Sequence, residues 1–192
     1  MHHNPQSRAH KHAFLFTPVR VYNKFYIKND YGFACMTPEA RICIHSDQLL
    51  TQAGWHACDM KDANLHAAQG VAVCEFPLNP GHGVADYLLY VDGKACGVIE
   101  TKKQGSTLIG AEPQSGRYSQ GLPAALPAWH GPLPFLFEST GIETQFTNGL
   151  DPQPRSRPVF AFFRPELLAP DKIQYSPFLK DSYAYLFRNS AF

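Results

Sequence analysis

The stretch VADYLLYV (84–91), DG (92–93) and KACGVIETK (94–102) decides the fold of this chain. Both runs that flank the Asp-Gly pair are rich in β-branched and aromatic residues, and the pair itself is typical of a tight hairpin turn. Another apolar run, VAVCEF (71–76), comes before them. The sequence therefore predicts three neighbouring strands, of which the last two form a β-hairpin.

The length of the turn decides whether the charged residues of this hairpin share a face. Side chains alternate along a strand, so Glu100 and Lys102 project from the same face if the strand is regular. A two-residue loop at Asp92-Gly93 puts Asp86 on the other face. A three-residue loop, or an added bulge, puts Asp86 on the face of Glu100 and Lys102.

A shared face would turn the two carboxylates into a cation site. With a three-residue loop, Val98 lies opposite Asp86, and Glu100 is diagonal to Asp86 at about 7 to 8 Å between α-carbons. Carboxylates that close repel each other unless a cation lies between them or water surrounds them. Oxygen-only ligation suits Mg²⁺, with Mn²⁺ as an alternative, and the Thr101 carbonyl could supply a third oxygen. Lys102 could then orient or deprotonate a water and stabilise charge on a phosphate.

A solvated hairpin face is the competing interpretation, because acids and lysines are common and their spacing alone has little specificity. The two carboxylates nevertheless interrupt an apolar segment, where a lone buried acid would be costly. This context favours a cleft with a functional site over an ordinary surface.

Composition excludes several classes of function. Of the 192 residues, 44% are apolar and 17% are charged, which is typical of one globular domain. The net charge of +1 gives no global basic field, so binding of nucleic acid would need a local patch. The five cysteines form no C-x-x-C pair, and the chain has neither a phosphate loop nor a G-x-G-x-x-G motif. We expect a cytoplasmic protein with no membrane span and no ATP site.

The remaining pattern predicts helices and strands in alternation around the hairpin, which is an α/β order. Residues 37–39 are typical of a helix start and Gly54 of a helix end, and a second, short helix is predicted over 113–120. Further strands are predicted at 55–58, 135–138, 142–147 and 159–163.

Taken together, several segments resemble the PD-(D/E)xK nuclease core, in the form found in the N-terminal domain of type I restriction enzyme R subunits. The hairpin carries the segments GVADY (83–87) and GVIETKK (97–103), and QSGRY (114–118) fits the Q-x-x-x-Y motif of the RecB-like branch. Residues 47–55 resemble the first helix of that family, and residues 137–144 resemble the strand pair that follows. The resemblance covers about residues 39 to 166.

The resemblance implies a restriction-endonuclease-like core, in which helices flank a central mixed β-sheet. It also implies that Asp86 and Glu100 are metal ligands and that Lys102 is the catalytic lysine. Gln114 and Tyr118, four residues apart, would project from one helix face toward the site or the DNA backbone.

Other candidate residues lie near these motifs. We expect lysine and arginine side chains to bind the phosphates of the DNA backbone. Asp47, in the first helix, matches an acid that some relatives direct at the metal, and an exposed helical acid is the alternative. Glu75, on the strand before the hairpin, could approach the cleft or form a structural ion pair. The candidate cations are Lys94, Lys102, Lys103 and Arg117.

We expect an N-terminal arm at 1–36, a nuclease domain at 37–166 and a C-terminal tail at 167–192. The R subunits of the family continue into an ATP-driven DNA motor, so we expect that motor to lie outside this sequence. Methyltransferase and specificity subunits would then be partners, with DNA as the substrate of hydrolysis by a metal-activated water. The alternatives are a non-catalytic docking or DNA-binding module with the same fold, and a generic aromatic-rich ligand-binding domain.

Overall fold

The computed structural model describes the backbone of residues 26–28, 34–36 and 38–169, and the side chains of residues 45–169. These residues form an α/β fold with a seven-stranded mixed sheet and two α-helices. Most of the arm expected at 1–36 and of the tail expected at 167–192 lies outside the described residues.

The helices are α1 (Pro38–Gln52) and α2 (Glu112–Ser119). A separate two-stranded sheet pairs β1 (Tyr26–Lys28) with β2 (Ala34–Met36). The strands of the main sheet, in chain order, are β3 (His56–Asp59), β4 (Gly70–Pro77), β5 (Val84–Val91), β6 (Lys94–Thr101), β7 (Phe135–Ser139), β8 (Thr144–Asn148) and β9 (Arg157–Val159).

The strands of the main sheet follow one another across it in chain order. The pairs β3–β4 and β6–β7 are parallel, and the other four neighbouring pairs are antiparallel. A parallel pair needs a crossover connection. Between β6 and β7 that connection contains α2, which packs back on the strands it joins.

The hairpin turn has two residues. Val91 pairs with Lys94, and the two residues between them, Asp92 and Gly93, have φ angles of 50° and 74°. Positive φ at both central positions defines a type I′ turn, whose twist matches that of the flanking strands. By itself, this turn would separate the two carboxylates onto opposite faces.

A bulge in β6 reverses that separation. Tyr90 pairs with Ala95, but the next residue of β5, Leu89, pairs with Gly97, so that Cys96 is the extra residue. Cys96 is buried, and its thiol donates a hydrogen bond to the Leu89 carbonyl at 3.5 Å. Because side chains alternate, an extra residue moves every later side chain of β6 to the other face.

The bulge also sets which residue lies opposite Asp86. Tyr87 pairs with Ile99, and extending this register by one residue brings Asp86 opposite Glu100. The expectation that Val98 would face Asp86, with Glu100 diagonal, is therefore wrong. It assumed a three-residue loop, whereas a two-residue loop with a bulge shifts the register in the opposite direction.

In the described part of the chain, each face of the sheet is covered by one helix. Leu50 of α1 packs with Tyr87 on one face, and Tyr118 of α2 packs with Leu88 and Val98 on the other. Because side chains alternate along a strand, Asp86 projects from the same face as Leu88, and Glu100 projects from the same face as Val98. Both carboxylates therefore belong to the α2 face.

The predicted helices agree with the structure, but the last strand does not. Gly54, with φ at 88°, follows the end of α1. The strand expected at 159–163 instead ends at Val159. Phe162 is buried and Phe163 partly buried, and both rings pack edge-on against Phe137. These two residues are therefore used for core packing, and the apolar run continues beyond the strand as irregular backbone.

Candidate active site

Asp86, Glu100 and Lys102 meet on the α2 face of the sheet, at the end of the hairpin away from its turn. Asp86 is partly buried and Glu100 is 3% exposed. Lys102 directly follows β6, and its side chain is 30% exposed. The hairpin thus presents two carboxylates and one amine at the margin between core and solvent.

Thr101 holds the Asp86 carboxylate by two hydrogen bonds. Its backbone N–H donates to Asp86 Oδ2 at 2.6 Å, and its hydroxyl donates to the same oxygen at 2.9 Å. Burial raises the pKa of Asp86, while these bonds act in the opposite direction. Oδ1 accepts no hydrogen bond from a described residue, so it is the oxygen open to a ligand.

Lys102 binds one oxygen of Glu100, and the Tyr118 hydroxyl lies beside the same carboxyl group, where it also lowers the pKa of Glu100. Lys102 Nζ donates to Glu100 Oε1 at 2.5 Å, whereas Oε2 is buried and accepts no hydrogen bond from a described residue. Burial raises the pKa of Glu100; the hydrogen bond from Lys102 lowers it, and the charge of Asp86 raises it further. A buried carboxylate oxygen without a donor is costly, and a bound cation would satisfy it.

Gln114 and Tyr118 of α2 extend this arrangement. Lys102 Nζ donates to Gln114 Oε1 at 2.8 Å, and Gln114 Nε2 donates to the Tyr118 hydroxyl at 2.7 Å. Burial raises the pKa of Tyr118, although the bond from Gln114 lowers it. The structure thus brings together Lys102 and both residues of the Q-x-x-x-Y pattern in one continuous network.

The network leaves the amine of Lys102 with spare donor capacity. An ammonium group has three N–H donors. Two of them are used by Glu100 and Gln114, and the third has no acceptor among residues 45–169. A lysine fixed in this way can present a donor and a positive charge to an anionic ligand.

The role of Thr101 is one that the sequence pattern did not predict. It was singled out for its backbone carbonyl, but its N–H and hydroxyl both bind Asp86. Only the register of the hairpin could have revealed this contact, since it depends on the bulge that brings Asp86 beside the end of β6.

The candidate DNA-contacting cations differ in position. Lys103 and Arg117 are exposed, the first directly after Lys102 and the second on α2. Lys94 lies at the other end of β6, about 25 Å from Lys102 at the usual rise of a strand. It sits over the Trp129 ring at 4.3 Å. The structure therefore does not bring Lys94 to this site.

The two other candidate acids, Asp47 and Glu75, lie in surroundings that differ from those of Asp86 and Glu100. Asp47 accepts a hydrogen bond from the Tyr87 hydroxyl at 2.8 Å, on the face that α1 covers. It is therefore not brought to the carboxylates. Glu75 is exposed and lies opposite Asp86 in the register of β4 and β5. Its charge raises the pKa of Asp86, and no ion pair to Glu75 is found among residues 45–169.

The donor set fits a hard cation with few protein ligands. Among the described residues there is no group of three or more His, Cys, Asp or Glu side chains suited to a metal. Mg²⁺ commonly binds through one or two carboxylates and keeps several waters. Asp86 Oδ1 and Glu100 Oε2, neither of which accepts a hydrogen bond from a described residue, match that requirement.

Neither helix of the described part of the chain is both long and apolar enough to cross a membrane. Searches of curated proteins and of solved structures found no match to the chain. Residues 60–131, less than half of the sequence, match the model of one family, the type I restriction enzyme EcoKI endonuclease subunit second domain. The matched segment contains β4, β5, β6 and α2, and with them the whole network described above. The match therefore supports similarity to a domain of a type I restriction endonuclease subunit.

Proposed function

We propose that this chain carries a metal-dependent endodeoxyribonuclease domain of the type I restriction kind, with a PD-(D/E)xK core. The observation that carries the proposal is the position of Lys102, held between Glu100 and Gln114 on the sheet face that also bears Asp86. The match of residues 60–131 to an endonuclease-subunit family supports it independently.

Asp86 and Glu100 would hold the cation, Mg²⁺ or Mn²⁺, through the two oxygens that lack donors. The Thr101 carbonyl is the proposed third ligand. When bound, the cation would make water a stronger acid and offset the negative charge of the phosphate. Thr101 N–H and hydroxyl keep the Asp86 carboxylate from rotating, so that Oδ1 stays directed away from the strand.

Lys102, Gln114 and Tyr118 complete the proposed catalytic set. Lys102 would direct its third N–H and its charge at the phosphate on which negative charge grows. Gln114 fixes the amine through its carbonyl oxygen, and Tyr118 fixes the Gln114 amide in turn. The role of this chain of contacts is to keep a flexible lysine in one geometry before DNA arrives.

Lys103 and Arg117 would bind the DNA, since both are exposed, the first directly after Lys102 and the second on α2. Contacts of this kind bind the phosphate backbone without reading sequence. We therefore assign target choice to the specificity and methyltransferase subunits of a restriction complex. The proposed location is the cytoplasm, where these partners would work.

A plasmid-cleavage assay tests the proposal. The purified chain is incubated with supercoiled plasmid and Mg²⁺ or Mn²⁺, beside Asp86→Ala, Lys102→Ala and the control Lys94→Ala. Lys94 is the matched control because it is a lysine at the end of β6 that lies away from the site. We expect wild type and Lys94→Ala to nick DNA, and the two site variants to lose about 100-fold or more.

The other outcomes have distinct meanings. Equal nicking by all four proteins indicates a contaminating nuclease and contradicts the proposal. Folded wild-type protein that binds Mn²⁺ and DNA without cleaving favours the non-catalytic docking module instead.

A further inference from the structure

Glu138 is a buried acid beside the proposed site that the proposed mechanism does not use. It lies on β7, is fully buried, and is in register with Glu100 of the parallel strand β6. Register partners project from the same face of a sheet, so Glu138 faces α2 as Glu100 does. There it is hydrogen-bonded through Oε1 to the Ser115 hydroxyl of α2.

The hydrogen bonds of Ser115 are best satisfied when Glu138 is a neutral acid. Ser115 Oγ also lies 3.1 Å from the Glu112 carbonyl oxygen, and a hydroxyl has only one hydrogen to donate. If Glu138 carries a proton, it donates to Ser115, and Ser115 donates to Glu112. Burial raises the pKa of Glu138, while the hydrogen bond with Ser115 lowers it.

Helix α2 depends on such contacts because its own sequence stabilises it weakly. It has only eight residues, contains Gly116 and lacks a side-chain hydrogen bond at its N-cap. A helix this short is marginal in isolation, and an interior glycine costs roughly 0.5 to 1 kcal/mol relative to alanine. The geometry of α2 must therefore come from its packing against the sheet.

Ser115 lies between the two residues of α2 that enter the proposed network. Gln114 directly precedes it, and Tyr118 follows one turn later. A contact that holds Ser115 against β7 therefore also sets the distance of Gln114 and Tyr118 from the sheet. Since Lys102 Nζ donates to Gln114, the position of the amine depends on the same contact.

We propose that Glu138 is a positioning residue, which together with Ser115 clamps α2 to β7 and thereby sets Gln114 and Tyr118 against Lys102. The expected effect of this clamp on catalysis rests on the proposed nuclease function. Its effect on α2 can be measured without any activity.

The catalytic test compares Glu138→Ala, Glu138→Gln and Ser115→Ala with the control Ser119→Ala. Ser119 is a buried serine on the same helix, and within residues 45–169 its hydroxyl bonds only inside that helix, to the Gly116 carbonyl at 2.8 Å. Well below the unfolding temperature, we expect both Glu138→Ala and Ser115→Ala to lower kcat about tenfold with KM for DNA nearly unchanged. Glutamine has the shape of the neutral acid and can donate to Ser115, so Glu138→Gln should stay within about threefold of wild type.

Two kinetic results would overturn the clamp. Full kcat in Ser115→Ala would mean that the contact serves stability alone. A loss in Glu138→Gln as large as that in Glu138→Ala would mean that Glu138 acts through its charge.

Hydrogen exchange of the full chain, without metal or DNA, gives the second readout. We expect the amides of residues 112–119 to exchange faster in Ser115→Ala and Glu138→Ala, and at the wild-type rate in Ser119→Ala. If wild type cleaves no DNA, the proposed function fails while this measurement still decides the clamp. Unchanged exchange in both clamp variants would end the proposal.

Discussion

Thr101 binds Asp86 through two donors at once, its backbone N–H at 2.6 Å and its hydroxyl at 2.9 Å, and both reach the same carboxylate oxygen. The consequence is that one oxygen is saturated while the other stays available. A carboxylate fixed in this way loses little rotational freedom when it binds a cation, because that freedom is already lost in the folded chain.

The first prediction concerns this contact. Thr101→Val keeps the shape and the N–H bond but removes the hydroxyl, so Asp86 should be held less firmly and Mn²⁺ should bind about three- to tenfold more weakly. Thr101→Ser should retain wild-type affinity. Calorimetric titration with Mn²⁺ measures both, with Thr147→Val on β8 as a threonine control away from the site. Equal affinities for wild type and Thr101→Val would contradict the role assigned to the hydroxyl.

Both helices and most strands of the main sheet could be predicted from the sequence, because apolar runs, the Asp-Gly turn and the Gly54 helix end are local signals. The register of the hairpin could not. It depends on Cys96 as the extra residue of β6, and a single buried cysteine within an apolar run leaves no trace in the pattern. The sequence left two alternatives open, and only the pairing of Leu89 with Gly97 decides between them.

The candidate site, too, could be predicted from the sequence only in part. The acids and the lysine could be singled out by type and spacing, but their contacts could not. Nothing in the local sequence indicates that Glu138 is fully buried against Ser115. Such contacts join residues far apart in sequence, and they become visible only after the strands are ordered in the sheet.

The second prediction concerns stability and pH. Burial raises the pKa of Glu100 above its ordinary value of 4.5. A carboxyl with a raised folded-state pKa favours the folded state below its ordinary pKa, and that advantage is lost as the pH rises through the raised value. Without metal, the unfolding temperature should therefore fall as the pH rises from about 4.5 toward neutrality.

The variant Glu100→Gln tests this assignment, because it removes the buried charge while keeping the shape. In EDTA at pH 7, we expect it to unfold about 2 to 4 °C above wild type, which corresponds to about 1 kcal/mol. Adding Mg²⁺ should stabilise wild type more than the variant, since the cation offsets a charge that only wild type has. Thermal unfolding at several pH values measures both effects. Parallel pH profiles for the two proteins would be inconsistent with a raised pKa at Glu100.

The third prediction concerns DNA affinity. Lys103→Ala and Arg117→Ala should each weaken binding to DNA of any sequence and reduce the slope of log affinity against log salt by about 1. Lys94→Ala should change neither, because Lys94 lies at the far end of β6 over the Trp129 ring. Fluorescence anisotropy with a labelled duplex in EDTA avoids cleavage during the titration. A slope reduced equally by all three substitutions would mean that the chain binds DNA without a defined surface.

The fourth prediction compares two glycines in opposite situations. A Cβ atom at Gly97, next to the bulge, would lie 2.3 Å from the Phe135 carbonyl oxygen of the neighbouring strand, so backbone would have to move. A Cβ atom at Gly116 in α2 would meet no heavy atom of the described residues within 4 Å, apart from its chain neighbours and the backbone of its own helix. Gly97→Ala should therefore destabilise the chain by about 2 kcal/mol or more. Gly116→Ala should stabilise it by roughly 0.5 to 1 kcal/mol, because alanine favours the helix.

Urea unfolding of both variants measures this difference in stability. A cleavage assay then shows whether each variant affects the site beyond its effect on stability. Gly116→Ala strengthens α2 without touching the sheet, so cleavage should be unchanged or slightly faster. Gly97→Ala disturbs the contact between β6 and β7 that carries Glu100 and Glu138 as register partners. The loss of cleavage activity in Gly97→Ala should therefore be larger than the fraction of unfolded protein alone explains. Loss in strict proportion to unfolding would show that the spacing of these two strands does not control the site.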